Sequence, residues 1–171
     1  MSVFGQINTT SNLSLNSTKF DHYADVGNVG TGEDDLYSDT IAASQLAANG
    51  DKIYAMYAGI FVGAAASTQE LKVYFGGTMI YDSGALAIGV ATNNWDIEVT
   101  VIRESSTVVR CTVGLRTDFG TLFPYSTYTR ITGLTLSNTQ IIKITGEAAG
   151  VGAVNDQIIA KLGYVEYKPV A

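Results

Sequence analysis

Apolar and polar residues alternate along much of this chain with the two-residue period of β-strands. The clearest run is NWDIEVTVIR, whose apolar residues take every second position: Trp95, Ile97, Val99 and Val101. The next run, VVRCTVGLR, repeats this pattern: Val109, Cys111, Val113 and Leu115. A period of two places successive side chains on opposite faces, so each run predicts a half-buried strand. Glu104–Ser106 between them has hairpin length and predicts antiparallel pairing.

Further segments combine β-branched and aromatic residues with Gly, Asn, Asp or Ser at their ends, which predicts strands. They are approximately Leu36–Ile41, Asp51–Val62, Leu71–Phe75, Thr78–Tyr81, Thr129–Leu136, Gln140–Thr145 and Gln157–Tyr167. DKIYAMYAGIFV is apolar on both faces, which predicts a central strand covered on each side. Only the Ala-rich stretch IAASQLAANG is a candidate for a helical turn or two. About nine short strands predict an all-β, antiparallel β-sandwich of the jelly-roll type.

The N-terminal segment differs in composition from the rest of the chain. NTTSNLSLNST is small and polar, and GNVGTGEDD adds glycines and an acidic run. Such residues bury too little apolar surface to offset the entropy of ordering them. We therefore expect a short extended N-terminal arm at residues 1–35, followed by the jelly-roll domain at residues 36–171.

Charge and composition exclude several classes of protein. Only 15% of the residues are charged, against about a quarter in an ordinary soluble domain, and such a surface is typical of a subunit contact. The net charge is -6 and no basic cluster is present, so we expect no direct nucleic-acid binding. The sequence shows neither a secretory signal nor a membrane span, which predicts synthesis in the cytoplasm and no membrane partner.

Few residues are candidates for catalysis. His22 is the only histidine and lies at the edge of the predicted arm, where a catalytic base would lack a rigid position. Cys111 falls on an apolar strand face and is predicted to lie in the core. Asp96 and Glu98 share a strand face and are the candidate carboxylate pair for glycoside hydrolysis, but Trp95 points to the other face. We expect no catalytic residue and a protein that is not an enzyme.

The sequence predicts no metal and no cofactor either. Its acidic run lacks the spacing of a calcium-binding EF-hand and is interpreted as a solvated linker; the residues concerned are Glu33, Asp34, Asp35 and Asp39. One histidine and one distant cysteine cannot complete a zinc site. The glycine motif GNVGTG lacks the preceding strand and following helix of a dinucleotide-binding loop.

One aromatic segment is a candidate contact site. LFPYSTYT predicts a Pro-containing loop that presents Phe123, Tyr125 and Tyr128 outward. These rings would suit either a partner interface or a glycan-stacking platform. Tyr is common in strands and at subunit interfaces, which favours the partner interface and leaves glycan binding open.

Four segments together resemble small β-domains in virion proteins of tailed bacteriophages: TIAASQLAANGDKIYAMYAGIF, LKVYFGGTMIYDSG, NNWDIEVTVIRESS and IIAKLGYVEY. The resemblance covers Leu36–Tyr167. It implies a jelly-roll domain that assembles as a homotrimer on the virion, with the major capsid protein or another virion protein as partner. The first expectation is a capsid decoration, or cement, protein that binds the outer capsid surface and stabilises the head. The alternative is a receptor- or glycan-binding domain of a fibre or tail.

Overall fold

The computed structural model describes residues 19–118 and 125–170, and its regular elements are all β-strands. They are β1 (Lys19–His22), β2 (Val26–Gly27), β3 (Gly32–Ile41), β4 (Lys52–Val62), β5 (Ser67–Phe75), β6 (Thr78–Asp82), β7 (Thr92–Ser105), β8 (Val108–Thr117), β9 (Tyr125–Ile131), β10 (Gln140–Gly150) and β11 (Ile158–Lys168). The predicted all-β class is confirmed. The described residues contain no helix long and apolar enough to cross a lipid bilayer.

The strands form two antiparallel sheets that enclose one hydrophobic core. The seven-stranded sheet has the order β1-β11-β4-β7-β8-β9, and β2 also pairs with β11. The four-stranded sheet has the order β3-β10-β5-β6. The two inner faces supply the core, whose largest fully buried side chains include Trp95, Tyr57, Phe61 and Phe75. The predicted antiparallel sandwich is therefore confirmed.

The connections are those of a jelly roll. The sets β1-β11-β4-β7 and β3-β10-β5-β6 each combine strands from both ends of the chain. β11 lies between β1 and β4, and β10 lies between β3 and β5, so the two halves wrap around each other as two Greek keys. The predicted β7–β8 hairpin is present, and β8 and β9 extend the larger sheet beyond the eight-strand wrap.

Two predicted segments differ from the observed ones. The predicted strand Thr129–Leu136 is wrong in its second half, because β9 ends at Ile131. Leu134 and Leu136 are nevertheless buried, from the loop that follows β9. IAASQLAANG forms turns and no helix, and Asp51 caps one of them by accepting a hydrogen bond from the Ala48 N–H.

Part of the predicted arm pairs with the sandwich. β1 and β2 pair with β11, and β3 continues across the predicted boundary at residue 35. His22 connects β1 to the other sheet, because its Nε2 lies 2.9 Å from Oδ2 of Asp39 and its ring stacks on Tyr37. Residues 1–18 lie outside the described residues, so an arm there stays a prediction.

Gly59 in β4 permits a close approach of β11. The register of β11 shifts between Ala160 and Leu162. A Cβ at position 59 would lie 2.0 Å from the carbonyl oxygen of Ile159 and 2.6 Å from Cζ2 of Trp95. Glycine is therefore required here by space, as is common where a strand faces an irregular neighbour.

We expect Gly59→Ala to lower the free energy of unfolding by about 1–3 kcal/mol, because the added methyl group overpacks a site bounded by backbone. Urea unfolding followed by the fluorescence of Trp95 measures this change. Ala58→Val adds carbon to the same strand on its half-exposed face and serves as the control, with little expected change. Equal stability of the wild-type chain and Gly59→Ala would show that β11 can move away.

Candidate interaction surface on the seven-stranded sheet

The outer face of the seven-stranded sheet is apolar along its central strand. Residues of β4 alternate between a buried inner face and a half-exposed outer face. The outer side chains include Tyr54, Met56, Ala58 and Ile60. Within the described part of the chain, the other sheet packs on the inner face of β4 and no strand packs on its outer face. The sequence predicted a strand covered on both faces, and this prediction is wrong for the outer face. A half-exposed apolar sheet face is typical of a surface that contacts a partner.

A groove of about 560 Å³ lies at one end of this outer face. Its apolar lining includes Met56, Ala58, Ile60 and Leu162. Its charged lining consists of Asp96, Arg116, Asp118 and Lys161. An apolar floor with charges of both signs at the rim fits a protein segment that is itself amphipathic.

Arg116 engages the predicted carboxylate pair at this groove. Its Nε lies 2.8 Å from Oδ1 of Asp96, and its Nη2 lies 2.5 Å from Oε1 of Glu98. The hydrogen bond with Asp96 is the main cause of the raised pKa of Arg116, and the hydrogen bond with Glu98 raises this pKa further. Trp95 lies on the inner face, as predicted. Asp96 and Glu98 are therefore members of one ion-pair network on the surface.

Basic residues form a row across the same outer face. Strand pairing sets Lys168 opposite Lys52, and Arg110 opposite Arg130, with Ile102 of β7 between the two pairs. Like charges directly opposite each other destabilise a sheet unless a counter-charge joins them, and Glu104 is the counter-charge of the arginine pair. The sequence places Arg110 on the outer face of β8, but its alignment with the other basic residues appears only in the strand pairing.

Glu104 joins the two arginines of this row. Its carboxylate accepts hydrogen bonds from Nη2 of Arg130 at 2.7 Å and from Nε of Arg110 at 2.7 Å. The hydrogen bonds from Arg130 and then from Arg110 lower the pKa of Glu104 to about 2. The arginines are therefore held side by side with their remaining N–H groups available at the surface.

Tyr128 lies next to this cluster and is 60% exposed. It is paired with Thr112 of β8, two residues along the strands from the pair formed by Arg110 and Arg130. Tyr54 faces outward on β4 in the same sheet, and Nζ of Lys168 lies 4.7 Å from its ring centroid. Tyr128 therefore faces outward on the same side of the sheet as the arginine pair.

The side chains of Phe123 and Tyr125, the other two residues of the predicted aromatic contact, lie outside what the structure describes. Phe123 lies outside the described residues. Tyr125 opens β9, but its side chain lies outside the described part of the chain. A contact role for Phe123, Tyr125 and Tyr128 stays a prediction.

The acidic run does not converge on one point. Its residues Glu33, Asp34, Asp35 and Asp39 each have a different partner: Lys72, the backbone N–H of Val29, Lys143 and His22. Among residues 19–118 and 125–170, no group of three or more His, Cys, Asp or Glu side chains is arranged to hold a metal ion.

The outer face of the four-stranded sheet is charged and internally paired. Nζ of Lys72 lies 3.0 Å from Glu147, 3.3 Å from Glu33 and 3.5 Å from Glu70. The hydrogen bond with Glu147 is the main cause of the raised pKa of Lys72. Burial, together with the nearby Asp82, raises the pKa of Glu70. This face therefore differs from the apolar outer face of β4.

Cys111 is buried in the core, as predicted. Burial raises the pKa of its thiol to about 12, so the thiolate that would act as a nucleophile is scarce at neutral pH. His22 is bound to Asp39, as described above. Cys111 is therefore a packing residue of the core, and His22 is a residue that joins the two sheets.

We expect the pKa of Glu104 to rise toward the ordinary value of about 4.3 in Arg130→Gln, because the main hydrogen bond to the charged carboxylate is lost. Carboxyl ¹³C NMR titration measures this shift. Because the pKa of Glu104 is lowered in the folded protein, the cluster adds to the free energy of unfolding at neutral pH. This contribution is lost as the pH falls from about 4 to about 2. Arg116→Gln is the control and should leave Glu104 unchanged. A wild-type Glu104 that titrates near 4 would contradict this geometry.

No protein-family model and no curated protein sequence matches the chain. Solved structures similar to it include the CBM2 module of the evolved Dit of Lactobacillus casei BL23 phage J-1, at 12% identity, with 78% of this chain and 69% of that chain covered and a TM-score of 0.30. Another is protein SO2946 of unknown function from Shewanella oneidensis MR-1, at 10% identity, 90% and 79% coverage and a TM-score of 0.35. A third is the infectious bursal disease virus VP2 subviral particle, at 12% identity, 99% and 46% coverage and a TM-score of 0.33. Similarity at this level carries no argument about function.

Proposed function

We propose that this chain is a structural protein of a virion that acts through surface contacts and without catalysis. The observation that carries this proposal is the half-exposed apolar outer face of β4, at the centre of the seven-stranded sheet. Tyr, Met and Arg are enriched at protein interfaces, and this face presents Tyr54, Met56, Arg110 and Arg130. Jelly rolls occur in both viral capsid and lectin domains, so the fold alone does not distinguish these two roles. The residues of the contact face have to distinguish them.

The finer proposal is a homotrimeric capsid decoration, or cement, protein on the outer surface of the head. The outer face of the seven-stranded sheet would bind the major capsid protein. Repetition of the contact over many capsid sites adds avidity, which lets individually modest contacts stabilise the shell. The resemblance of Leu36–Tyr167 to virion domains of tailed bacteriophages supports this assignment.

The surroundings of the candidate catalytic residues support a role without chemistry. Asp96 and Glu98 are bound by Arg116, and His22 is bound by Asp39. Cys111 is buried in the core. Each of these residues has a structural partner or an apolar setting.

We expect Met56→Asp to weaken binding to capsids that lack the chain at least about tenfold, because an unpaired carboxylate would be buried in the contact. Co-sedimentation of the purified chain with capsids of the virus that encodes it measures this binding. Met79→Asp makes the same change on the four-stranded sheet, where Met79 is exposed, and should bind as the wild-type chain does.

Two results would contradict the proposal. Equal binding by both variants would exclude the outer face of the seven-stranded sheet as the contact. A wild-type chain that binds no capsid would exclude the cement role itself.

The alternative is a receptor- or glycan-binding domain of a fibre or tail. The exposed ring of Tyr128 next to Arg110 and Arg130 favours it, because an aromatic ring beside guanidinium groups suits a sugar that carries a carboxylate.

If the alternative holds, Tyr128→Ala should reduce the signal on a glycan array at least about tenfold, since both the stacking surface and the hydroxyl group are lost. Tyr23→Ala removes another exposed tyrosine, far from the arginine pair in sequence, and should leave the signal unchanged. Absence of sugar-dependent binding by the wild-type chain would exclude the alternative.

A further inference from the structure

One end of the outer face of the seven-stranded sheet carries four cationic side chains in a single line across the strands, here termed the basic row. Strand pairing sets Lys168 opposite Lys52, and Lys52 opposite Ile102. The line continues from Ile102 to Arg110 and from Arg110 to Arg130. The basic row therefore crosses β11, β4, β7, β8 and β9, with a lysine pair on one side, an arginine pair on the other and the apolar Ile102 at its centre.

The cations of the basic row are only partly neutralised. Glu104 joins the two arginines, and Oε2 of Glu166 lies 3.2 Å from Nζ of Lys168. Of the carboxylates that the structure describes, none forms an ion pair with Lys52. Four cations against two carboxylates leave an excess of positive charge here, on a chain whose net charge is -6. The row therefore attracts an anionic partner although the whole chain does not.

The opposite end of the same outer face has the opposite charge balance. Asp96 and Glu98 share the one guanidinium group of Arg116, and the side chain of Glu98 is 62% exposed. Nζ of Lys161 forms an ion pair with Oδ2 of Asp25. An anionic partner is therefore attracted to the basic row and repelled from the groove end, which determines where on the face it binds.

The spacing of the basic row matches that of an extended polypeptide. Neighbouring strands lie about 4.8 Å apart, so Ile102 is about 7 Å from the middle of the lysine pair, and the middle of the arginine pair is about 14 Å from it. An extended chain rises about 3.4 Å per residue, so its side chains at positions i, i+2 and i+4 face one way at about 0, 7 and 14 Å. Residues i and i+4 therefore meet the two cation pairs, and residue i+2 meets Ile102.

The apolar centre of the row distinguishes between kinds of anionic partner. A nucleic-acid strand carries one charge for about every 3.4 Å of its length, so it would also place charge on Ile102. A polypeptide can carry an apolar side chain at that point and carboxylates on each side of it. The row therefore favours a protein segment over a nucleic acid.

Two tyrosines border the basic row on the side of the groove. Tyr54 and Tyr128 face outward two residues along their strands from the row, and Thr100 and Thr112 lie between them. Nζ of Lys168 lies 4.7 Å from the ring centroid of Tyr54. Tyr and Arg are enriched at protein interfaces, so this border also favours a protein partner.

We propose that the basic row binds an extended acidic segment of the virion partner, with acidic residues four positions apart and an apolar residue midway between them. One carboxylate binds Lys52 and Lys168, the apolar side chain packs on Ile102, and the other carboxylate binds the remaining N–H groups of the arginine pair. This inference rests on the proposed function, since it names the chemistry by which the outer face of the seven-stranded sheet recognises its partner.

The probe is the fluorescein-labelled peptide Gly-Ser-Asp-Thr-Val-Thr-Asp-Ser-Gly, in which valine lies midway between aspartates four positions apart. Its binding to the full chain is measured by fluorescence anisotropy at about 50 mM salt, where exposed charges are weakly screened. The control peptide Gly-Ser-Asp-Asp-Thr-Val-Thr-Ser-Gly has the same composition with adjacent aspartates. We expect the Kd of the first peptide to be about fivefold lower, because only its aspartates reach both cation pairs.

The double variant Lys52→Gln and Arg110→Gln should raise the Kd of the first peptide at least about fivefold, because it removes one cation from each pair. The double variant Lys143→Gln and Lys161→Gln is the matched control. It makes the same change in net charge on the other sheet and at the groove end, so it should leave the Kd unchanged. All four residues are on the surface, and circular dichroism checks that the fold is retained.

Four results would each overturn the proposal. They are no binding of the first peptide up to about 1 mM, equal binding of the two peptides, equal losses in the two double variants, and tighter binding of a single-stranded oligothymidylate or of sialyllactose than of the first peptide. The last result would identify the row as a site for nucleic acid or for an acidic sugar.

The capsid co-sedimentation assay separates this inference from the proposed function. If Met56→Asp loses capsid binding while the double variant Lys52→Gln and Arg110→Gln binds as the wild-type chain does, the virion role stands and the basic row is overturned as its recognition site. If the first peptide binds with the expected preference but the wild-type chain binds no capsid, the basic row is supported and the cement role is contradicted.

Discussion

In β4, Tyr57 and Phe61 point into the core, while Met56 and Ile60 point away from it. Because side chains alternate along a strand, burying one set between the sheets determines which residues face outward. A slip of one residue would exchange the two sets, so the register of this central strand is fixed by the core. The contact face on the outside of the sheet is therefore positioned by the packing inside it.

The local pattern of the chain was enough to predict the fold class but not the pairing of its strands. The alternation in β7 and β8 predicts both strands and the hairpin, because their apolar residues and their turn are close in sequence. The error at Thr129–Leu136 arose because Leu134 and Leu136 are apolar and buried, yet they reach the core from a loop. β1 was missed because its four residues form a strand only through pairing with β11, which is distant in sequence.

The candidate surfaces show the same division between local and distant information. Tyr128 was predicted as a contact residue because an aromatic residue near a proline is a local signal, and its contact role stays a prediction. The alignment of Lys52 and Lys168 with the arginine pair depends on strands from both halves of the chain, so no single segment reveals it. The GNVGTG motif was judged only by the strand and helix that it lacks, and only the fold shows that its Asn28 accepts hydrogen bonds from the N–H groups of Gln157 and Ile158.

The insertion of β10 and β11 between earlier strands has a consequence for biosynthesis. Among the described strands, β3 pairs with β10 alone and β1 with β11 alone, so neither has its neighbour until β10 and β11 have left the ribosome. During translation the edges of β3 and β4 face open positions that other chains could occupy. A protein of this topology completes its sandwich only after β10 and β11 have been synthesised, when these two strands close both sheets almost together.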